Sequence, residues 1–231
     1  MNLIFDIGYN KGEFAQKCFE LHPQCKVVGV EANLSLIYNK PSSDNLVLLH
    51  ALISSESGQT KKFYIDASQT GISTASENFM KNSRFTKGSK NLRPNSANWQ
   101  LQTEVNTTTL DAVIKTHGAP DLIKIDVEGY EYEVLKGLSS KQHKICFEWH
   151  EEEYETLLNA IAHLRSLGYD SFGTIGYFDE GDVFEKVTFS DRGDPYLEEP
   201  SNYYNWEELK EELDSFCDPE RRVDYGMMWC K

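Results

Sequence analysis

The stretch LIFDIGYNKGEF, residues 3–14, decides the expected fold of this chain. Its first residues, Leu3 to Asp6, are mostly apolar and are typical of a short buried strand that ends at a glycine turn. Helical spacing of apolar residues follows over residues 12–21, so the stretch predicts a strand, a turn and a helix. The N-terminus of such a helix offers unpaired N–H groups and a positive dipole end to a ligand.

The same alternation of strands and helices continues along the chain. Further strands are expected at residues 26–30, 46–53, 61–65, 103–109, 121–126, 144–149, 169–175 and 227–230. Helices are expected at residues 34–38, 110–115, 131–138, 154–167 and 206–216. Short links between strands and helices predict a parallel sheet with helices on both faces. We therefore expect a Rossmann-like, doubly wound α/β fold in one domain, residues 1–231, with insertions at about 66–102 and 178–222.

The glycine turn has the spacing D-x-G-x-x-x-G, formed by Asp6, Gly8 and Gly12. A dinucleotide-binding loop has G-x-G-x-x-G instead, and Asp6 would sit badly beside a pyrophosphate, so an NAD(P) oxidoreductase is disfavoured. An adenosine that carries an amino acid fits better, because Asp6 can accept a hydrogen bond from an ammonium group. The turn residues Tyr9 and Asn10 are further candidates for cofactor binding. A tight turn with no ligand is the simpler alternative.

Two acidic positions at later strand ends extend this candidate site. Glu31 ends the second strand, close to the distance from Gly12 at which a ribose-binding acid is expected, about 20 residues. Asp126 and Glu128 follow the strand at 121–126 and would reach the same crevice, where acids stabilise a bound cation or take a proton from a hydroxyl. The alternatives are that Glu31 is a surface residue and that Glu128 caps the following helix.

A histidine ends the strand at 144–149. Alternation places Glu148 and His150 on the same side, and an imidazole that titrates near neutrality can act as a general base. A structural role for His150 is the alternative. Together with Asp126 and Glu128 these residues could hold a divalent metal, but nothing in their spacing requires one, and we expect none.

Composition limits the class of partner. The net charge is −14 and the pI is about 4.9, which disfavours extended contact with a nucleic-acid backbone. Five cysteines without CxxC spacing are typical of reduced thiols in a cytoplasmic protein. We expect no leader sequence, because residues 1–5 run directly into the first strand, and no membrane span, because the longest apolar run is too short. Oligomeric state is left open.

Five stretches resemble the FkbM-type methyltransferase family. They are DIGYNKGEF (6–14), VGVEAN (28–33), VLLHALISSESGQTKKFY (47–64), TTLDAVI (108–114) and DLIKIDVEGYEYEVLKGL (121–138), with a weaker match at FEWH (147–150). The resemblance implies a class I methyltransferase sheet of seven strands in the order 3-2-1-4-5-7-6 and the cofactor S-adenosyl-L-methionine. It also implies O-methylation of a hydroxyl on a sugar, natural product or other small molecule.

The resemblance assigns roles to single residues. It implies that Asp6, Gly8 and Gly12 bind the methionine end of the cofactor and that Glu31 binds the ribose. It further places Ala32 and Asn33 beside the adenosine, Ala51 near the adenine and Asp126 near the sulfonium. Tyr9 departs from the family pattern, which often has a small residue there.

The expected reaction is direct displacement at the methyl carbon, for which the enzyme supplies proximity and orientation. His150 is the first candidate for the base, followed by Glu128 and Asp126. Two alternatives keep the fold but change the function: a non-catalytic, methyltransferase-like binding protein, or a methyltransferase with a nucleic-acid or protein acceptor. An Asn-Pro-Pro-Tyr-like motif of nucleic-acid methylation is absent after the fourth strand, where Asp126-Val127-Glu128-Gly129 stands.

Overall fold

A computed structural model describes residues 1–40, 43–86, 97–180, 183–185, 199–200, 202–215 and 225–231. Its strands are β1 (Leu3–Ile7), β2 (Lys26–Glu31), β3 (Leu46–His50), β4 (Leu52–Ile53), β5 (Thr60–Ile65), β6 (Leu101–Thr108), β7 (Leu122–Ile125), β8 (Ile145–His150), β9 (Phe172–Glu180), β10 (Val183–Glu185) and β11 (Tyr225–Cys230). Its α-helices are α1 (Glu13–Leu21), α2 (Leu34–Ile37), α3 (Glu77–Asn82), α4 (Leu110–His117), α5 (Glu131–Leu135), α6 (Tyr154–Ser166) and α7 (Trp206–Ser215).

Eight strands form the main sheet, in the order β10-β9-β11-β8-β7-β1-β2-β3. Strands β3, β2, β1, β7 and β8 run parallel to one another. Strand β11 lies between β8 and β9 and is antiparallel to both. Numbered within this sheet, seven of the strands follow the order 3-2-1-4-5-7-6, and β10 adds an eighth at the edge. The doubly wound, mostly parallel fold is therefore confirmed, with one more strand than expected.

The apolar run at residues 46–53 is not one strand. It breaks at Ala51: β3 stays at the edge of the main sheet, while β4 pairs with β6 in a separate three-stranded sheet of order β4-β6-β5. The physical reason is the end of β2: its last residue, Glu31, is the partner of His50, so Leu52 and Ile53 pair with β6 instead. The break leaves Ala51 at the end of β2, where its N–H donates to the carbonyl of Glu31 at 3.3 Å.

Two apolar cores cover the faces of the main sheet. On one face, buried residues of α1 and α2 such as Phe14, Cys18 and Ile37 pack against β1 and β2. On the other, a larger core joins the sheet to α4, α5, α6 and α7, with Val134 and Leu164 fully buried. Helices on both faces leave the carboxyl ends of the parallel strands as the accessible edge.

The insertion expected at 66–102 carries structure of its own in its described part. Ile72, Phe79 and Phe85 form a small core with Ala97 and Trp99, and the Trp99 indole N–H donates to the carbonyl of Ile72 at 2.8 Å. Residues 87–96 lie outside the described residues, as does much of the insertion expected at 178–222. No helix in the described part of the chain is both long and apolar enough to cross a membrane.

Candidate functional site

The glycine turn after β1 lies against the turn after β7. Gly8 adopts φ +82°, and a Cβ there would lie 1.8 Å from the carbonyl oxygen of Asp126. The Asp126 N–H donates to the carbonyl of Ile7 at 3.0 Å, which holds the two turns together. Only glycine therefore allows the end of β1 to approach the end of β7 this closely.

Tyr9 fits into the turn because two glycines make room for it. A Cβ on Gly12 would lie 2.2 Å from the Tyr9 hydroxyl oxygen, and a Cβ on Gly29 would lie 2.5 Å from its ring. The Lys40 ammonium stands 4.6 Å from the ring centroid. Gly12 and Gly29 thus leave room for Tyr9 at a position where the family pattern often has a small residue.

Glu31 is fixed by two backbone amides at the end of β2. Its Oε2 accepts from the N–H of Asn10, and its Oε1 accepts from the N–H of Asn33, both at 2.7 Å. Burial raises the pKa of Glu31, while these hydrogen bonds act in the opposite direction. Each carboxylate oxygen retains a lone pair for a further donor such as a ribose hydroxyl.

Asp6 lies beneath the site and contacts Lys124, its register partner on β7. The Lys124 ammonium donates to Asp6 Oδ1 at 3.1 Å and to the carbonyl of Gly8 at 3.0 Å, and it lies 3.5 Å from Asp126 Oδ2. Burial alone would lower the pKa of Lys124, but the carboxylates of Asp6 and Asp126 outweigh it and raise that pKa. A charged lysine therefore ties both turns to the sheet.

A second group of acids lies where β7 and β8 end. His150 Nε2 is 3.0 Å from Glu148 Oε2 and 3.7 Å from Glu128 Oε2, and Glu148 is hydrogen-bonded to Asp126. Burial, reinforced by the neighbouring carboxylates, raises the pKa of Glu128 and of Glu148 well above the usual value. Burial and the charge of Arg84 lower the pKa of His150. We call Asp126, Glu128, Glu148 and His150 the acidic cluster.

The turn that carries Glu128 is held from two sides. Glu128 has φ +56°. Its carbonyl accepts from the Thr74 hydroxyl at 2.7 Å, and Glu131 Oε1 accepts from the N–H groups of Val127 and Gly129 at 3.0 and 3.3 Å. Burial raises the pKa of Glu131 to about 8. The left-handed residue is thus built into a braced turn.

The insertion at 66–102 forms one wall of the site. Thr70, Gly71 and Ser73 line the cavity, and the Thr70 hydroxyl donates to Asn10 Oδ1 at 3.1 Å. Further along, Arg84 makes a two-pronged contact with Glu152 just after β8, with Nε–Oε1 and Nη2–Oε2 distances of 3.0 and 2.9 Å. The insertion is therefore attached at the glycine turn through Thr70 and at the segment just after β8 through Arg84.

These segments enclose one cavity of about 270 Å³. Of the residues expected to bind the cofactor or act in catalysis, its walls include Gly8, Tyr9, Asn10, Glu31, Ala32, Ala51, Asp126 and Glu128. Four others stand behind the walls: Asp6 beneath Lys124, Gly12 at the start of α1, Asn33 at the start of α2, and His150 beside Glu148. Residues expected from five separate parts of the chain thus meet at one place.

The family model for the methyltransferase FkbM domain matches residues 6–171. This chain belongs to the FkbM methyltransferase family. The match begins at Asp6 and contains the glycine turn, Glu31 and the whole acidic cluster. The resemblance read from the sequence motifs is therefore confirmed.

Solved methyltransferase structures resemble the FkbM chain at low sequence identity. A methyltransferase FkbM from Methylobacillus flagellatus KT is 15% identical, with a TM-score of 0.45 over 75% of this chain and 39% of that one. A precorrin-6y C5,15-methyltransferase from Geobacter metallireducens GS-15 is 13% identical, with a TM-score of 0.42 over 100% of this chain and 78% of that one. An S-adenosylmethionine-dependent methyltransferase from Archaeoglobus fulgidus is 13% identical, with a TM-score of 0.41 over 100% and 86%.

The chain spans about two fifths of the length of the Methylobacillus protein. No curated protein matches the sequence significantly.

Lys124, Arg84 and Ser73 are among the site residues of this FkbM protein that were not predicted from the sequence. Lys124 carried a signal, because a lysine between Ile123 and Ile125 in an apolar strand needs a buried partner. No sequence signal marked Arg84 or Ser73. Both lie in a Ser- and Asn-rich segment, and no local sequence pattern predicts how that segment crosses the site.

Proposed function

We propose that this protein transfers a methyl group from S-adenosyl-L-methionine to a hydroxyl oxygen of a sugar or another small molecule. One observation carries the proposal: the glycine turn, Glu31 and Asp126, from three different strand ends, line the same cavity. Ligands of open α/β sheets bind at such a crevice, beside the switch in strand order. Here the switch lies between β1 and β7.

The residues present fit the cofactor. The glycine turn at Gly8 lines the cavity, and Glu31 offers two oriented acceptors for ribose hydroxyls. The apolar side chains of Leu52, Ile53 and Phe63 line the part of the cavity suited to an adenine. When bound, the cofactor supplies an electrophilic methyl carbon on a sulfonium, whose positive charge Asp126 would stabilise.

The acidic cluster stands where the acceptor would bind. A hydroxyl is a weak nucleophile, so a nearby group that orients it and takes its proton raises the rate. Asp126, Glu128 and His150 are the candidates for that role. Glu128 and Glu148 line the cavity, whereas His150 stands behind them, beside both carboxylates.

Calorimetry and a methyl-transfer assay test the proposal together. We expect S-adenosylhomocysteine to bind the folded protein, and labelled methyl groups to appear on hydroxylated small molecules. RNA, DNA and protein acceptors belong in the same screen, because transfer to one of them would favour a different acceptor class. Binding without transfer to any acceptor would favour a non-catalytic binding protein, and absence of binding would refute the cofactor assignment. The proposed location is the cytoplasm, supported by the cysteine usage.

A further inference from the structure

We propose that Glu128, Glu148 and His150 bind a divalent metal ion at the acceptor end of the cavity. The place of the ion rests on the proposed function, since it would lie beside the expected methyl group. Spacing along the sequence led us to expect no metal. The folded arrangement changes that expectation.

The geometry suits a metal site. One ligand atom from each of the three side chains lies within 4.8 Å of the other two. His150 Nε2 is 3.0 Å from Glu148 Oε2 and 3.7 Å from Glu128 Oε2. Adjacent ligands of an octahedral ion with bonds of about 2.1 Å are separated by about 3.0 Å, so small side-chain shifts would bring all three into one coordination shell.

A second observation concerns the Glu128 carboxylate. Its Oε2 is shielded from solvent and accepts no hydrogen bond from the described residues, although it points towards a histidine that is only 4% exposed. Buried polar atoms without a partner are rare in native proteins, and a bound ion is one of the recognised explanations. The braced turn that carries Glu128 keeps this oxygen within reach of His150.

The local charge balance favours a cation. Three carboxylates, of Asp126, Glu128 and Glu148, meet in a region with little solvent. The two cationic side chains nearby are already engaged: Lys124 contacts Asp6 and Asp126, and Arg84 contacts Glu152. A divalent ion would replace the protons that Glu128 and Glu148 otherwise hold, so that both carboxylates could be charged together.

The ligands indicate the class of ion and of acceptor. Two carboxylates and one imidazole suit Mn²⁺, or Mg²⁺ with bound water. Because Glu128 and Glu148 also line the cavity, an acceptor could reach the ion from there. An acceptor with two adjacent hydroxyls would bind best, since both oxygens could coordinate. The ion would lower the pKa of the coordinated hydroxyl, whose proton would pass to Asp126, the candidate base that is not a ligand, while the new C–O bond forms and the C–S bond breaks to leave S-adenosylhomocysteine.

Manganese binding provides the test. Protein stripped with a chelator is titrated with MnCl₂, and free Mn²⁺ is followed by electron paramagnetic resonance. We expect one ion per chain, with at least tenfold weaker binding in Glu128→Gln, Glu148→Gln and His150→Asn. Glu207→Gln, the same change on an exposed helix residue, should bind Mn²⁺ like the natural chain. Circular dichroism checks that each variant is folded.

Affinity for S-adenosylhomocysteine, measured on the same samples, separates the two proposals. If the natural protein binds this ligand but no Mn²⁺, the metal proposal fails and the proposed function stands. If Mn²⁺ binds equally well to all three variants, the ion lies elsewhere and the site proposed here is wrong. If Mn²⁺ binds as expected while S-adenosylhomocysteine does not, the metal site stands and the cofactor assignment fails.

Discussion

Single residues at this site are held in place by the protein before any ligand binds. Glu31 receives one backbone N–H on each carboxylate oxygen, and Gly8 takes a left-handed conformation against the Asp126 carbonyl. Such preorganisation lowers the free energy that binding would otherwise spend on ordering side chains. Even a substitution that changes the size of one of these side chains only slightly should therefore weaken ligand binding.

Glu31→Gln should weaken binding of S-adenosylhomocysteine about 10- to 100-fold, because hydrogen bonds to a charged acceptor contribute roughly 1.5–3 kcal/mol. The amide also turns one of its two acceptor atoms into a donor that faces a backbone N–H. Isothermal calorimetry gives the affinity. Glu133→Gln, at a partly exposed glutamate outside the cavity, is the control, and equal affinities of the two variants would remove Glu31 from the ribose role.

Gly8→Ala should destabilise the protein by about 2–5 kcal/mol, because it adds a steric overlap to an unfavourable left-handed backbone. Gly58 separates these two effects: its φ is +78°, but a Cβ there would meet nothing within 4 Å. Gly58→Ala should cost only about 1–2 kcal/mol. Urea unfolding measures both, and a Gly8→Ala loss no greater than that of Gly58→Ala would contradict the close approach to Asp126.

Among the elements, the insertion before β6 contributes one wall of the site. Asp66 organises its start, since Oδ1 accepts from the N–H groups of Ser68 and Gln69 while Oδ2 accepts from the N–H of Asn98 at 2.6 Å. The Asp66 carboxylate thus joins the start of the insertion to the segment at Asn98, near its end. Farther on, Arg84 attaches the insertion to Glu152.

Asp66→Asn should loosen this insertion and lower stability by roughly 1–3 kcal/mol at neutral pH. Burial would raise the pKa of Asp66, but the hydrogen bonds from Asn98 and Ser68 outweigh it and lower that pKa. A lowered folded-state pKa contributes stability above the unfolded value of about 3.9, and this contribution is lost as the pH falls through the folded value.

Urea unfolding near neutral pH and near pH ~3 checks the sign. The difference between the natural chain and Asp66→Asn should shrink in acid, whereas Asp170→Asn, at an exposed aspartate, should change little at either pH. A difference that grows in acid would show that Asp66 does not act through its charged form.

At the scale of the whole molecule, local patterns predicted the elements but not all of their partners. The strands β1, β2, β7 and β8 and their acidic ends followed from apolar runs that stop at polar residues. The break at Ala51 did not, because β4 leaves the sheet for β6, and pairing with a strand about 50 residues away leaves no mark on either run. The contact between Arg84 and Glu152 could not be predicted for the same reason, because it depends on how the insertion crosses the site.

The part of the chain that the family model matches does not contain the complete main sheet. Strand β11 lies between β8 and β9 and is beyond residue 171, the last matched position. All six residues of β8 are buried, and Met228 and Trp229 on β11 are fully buried against the core. Removing β11 would leave β8 with an open edge and apolar side chains in water.

A truncated chain of residues 1–171 should therefore not fold cooperatively. We expect the loss of β9, β11 and their buried apolar side chains to outweigh the total stability of a typical domain, about 5–15 kcal/mol. The full chain should unfold in one transition, with circular dichroism and tryptophan fluorescence changing together. A truncated chain that melts at the same temperature as the full chain would show that the matched region is an independent domain, and two separate transitions in the full chain would contradict the single domain expected for residues 1–231.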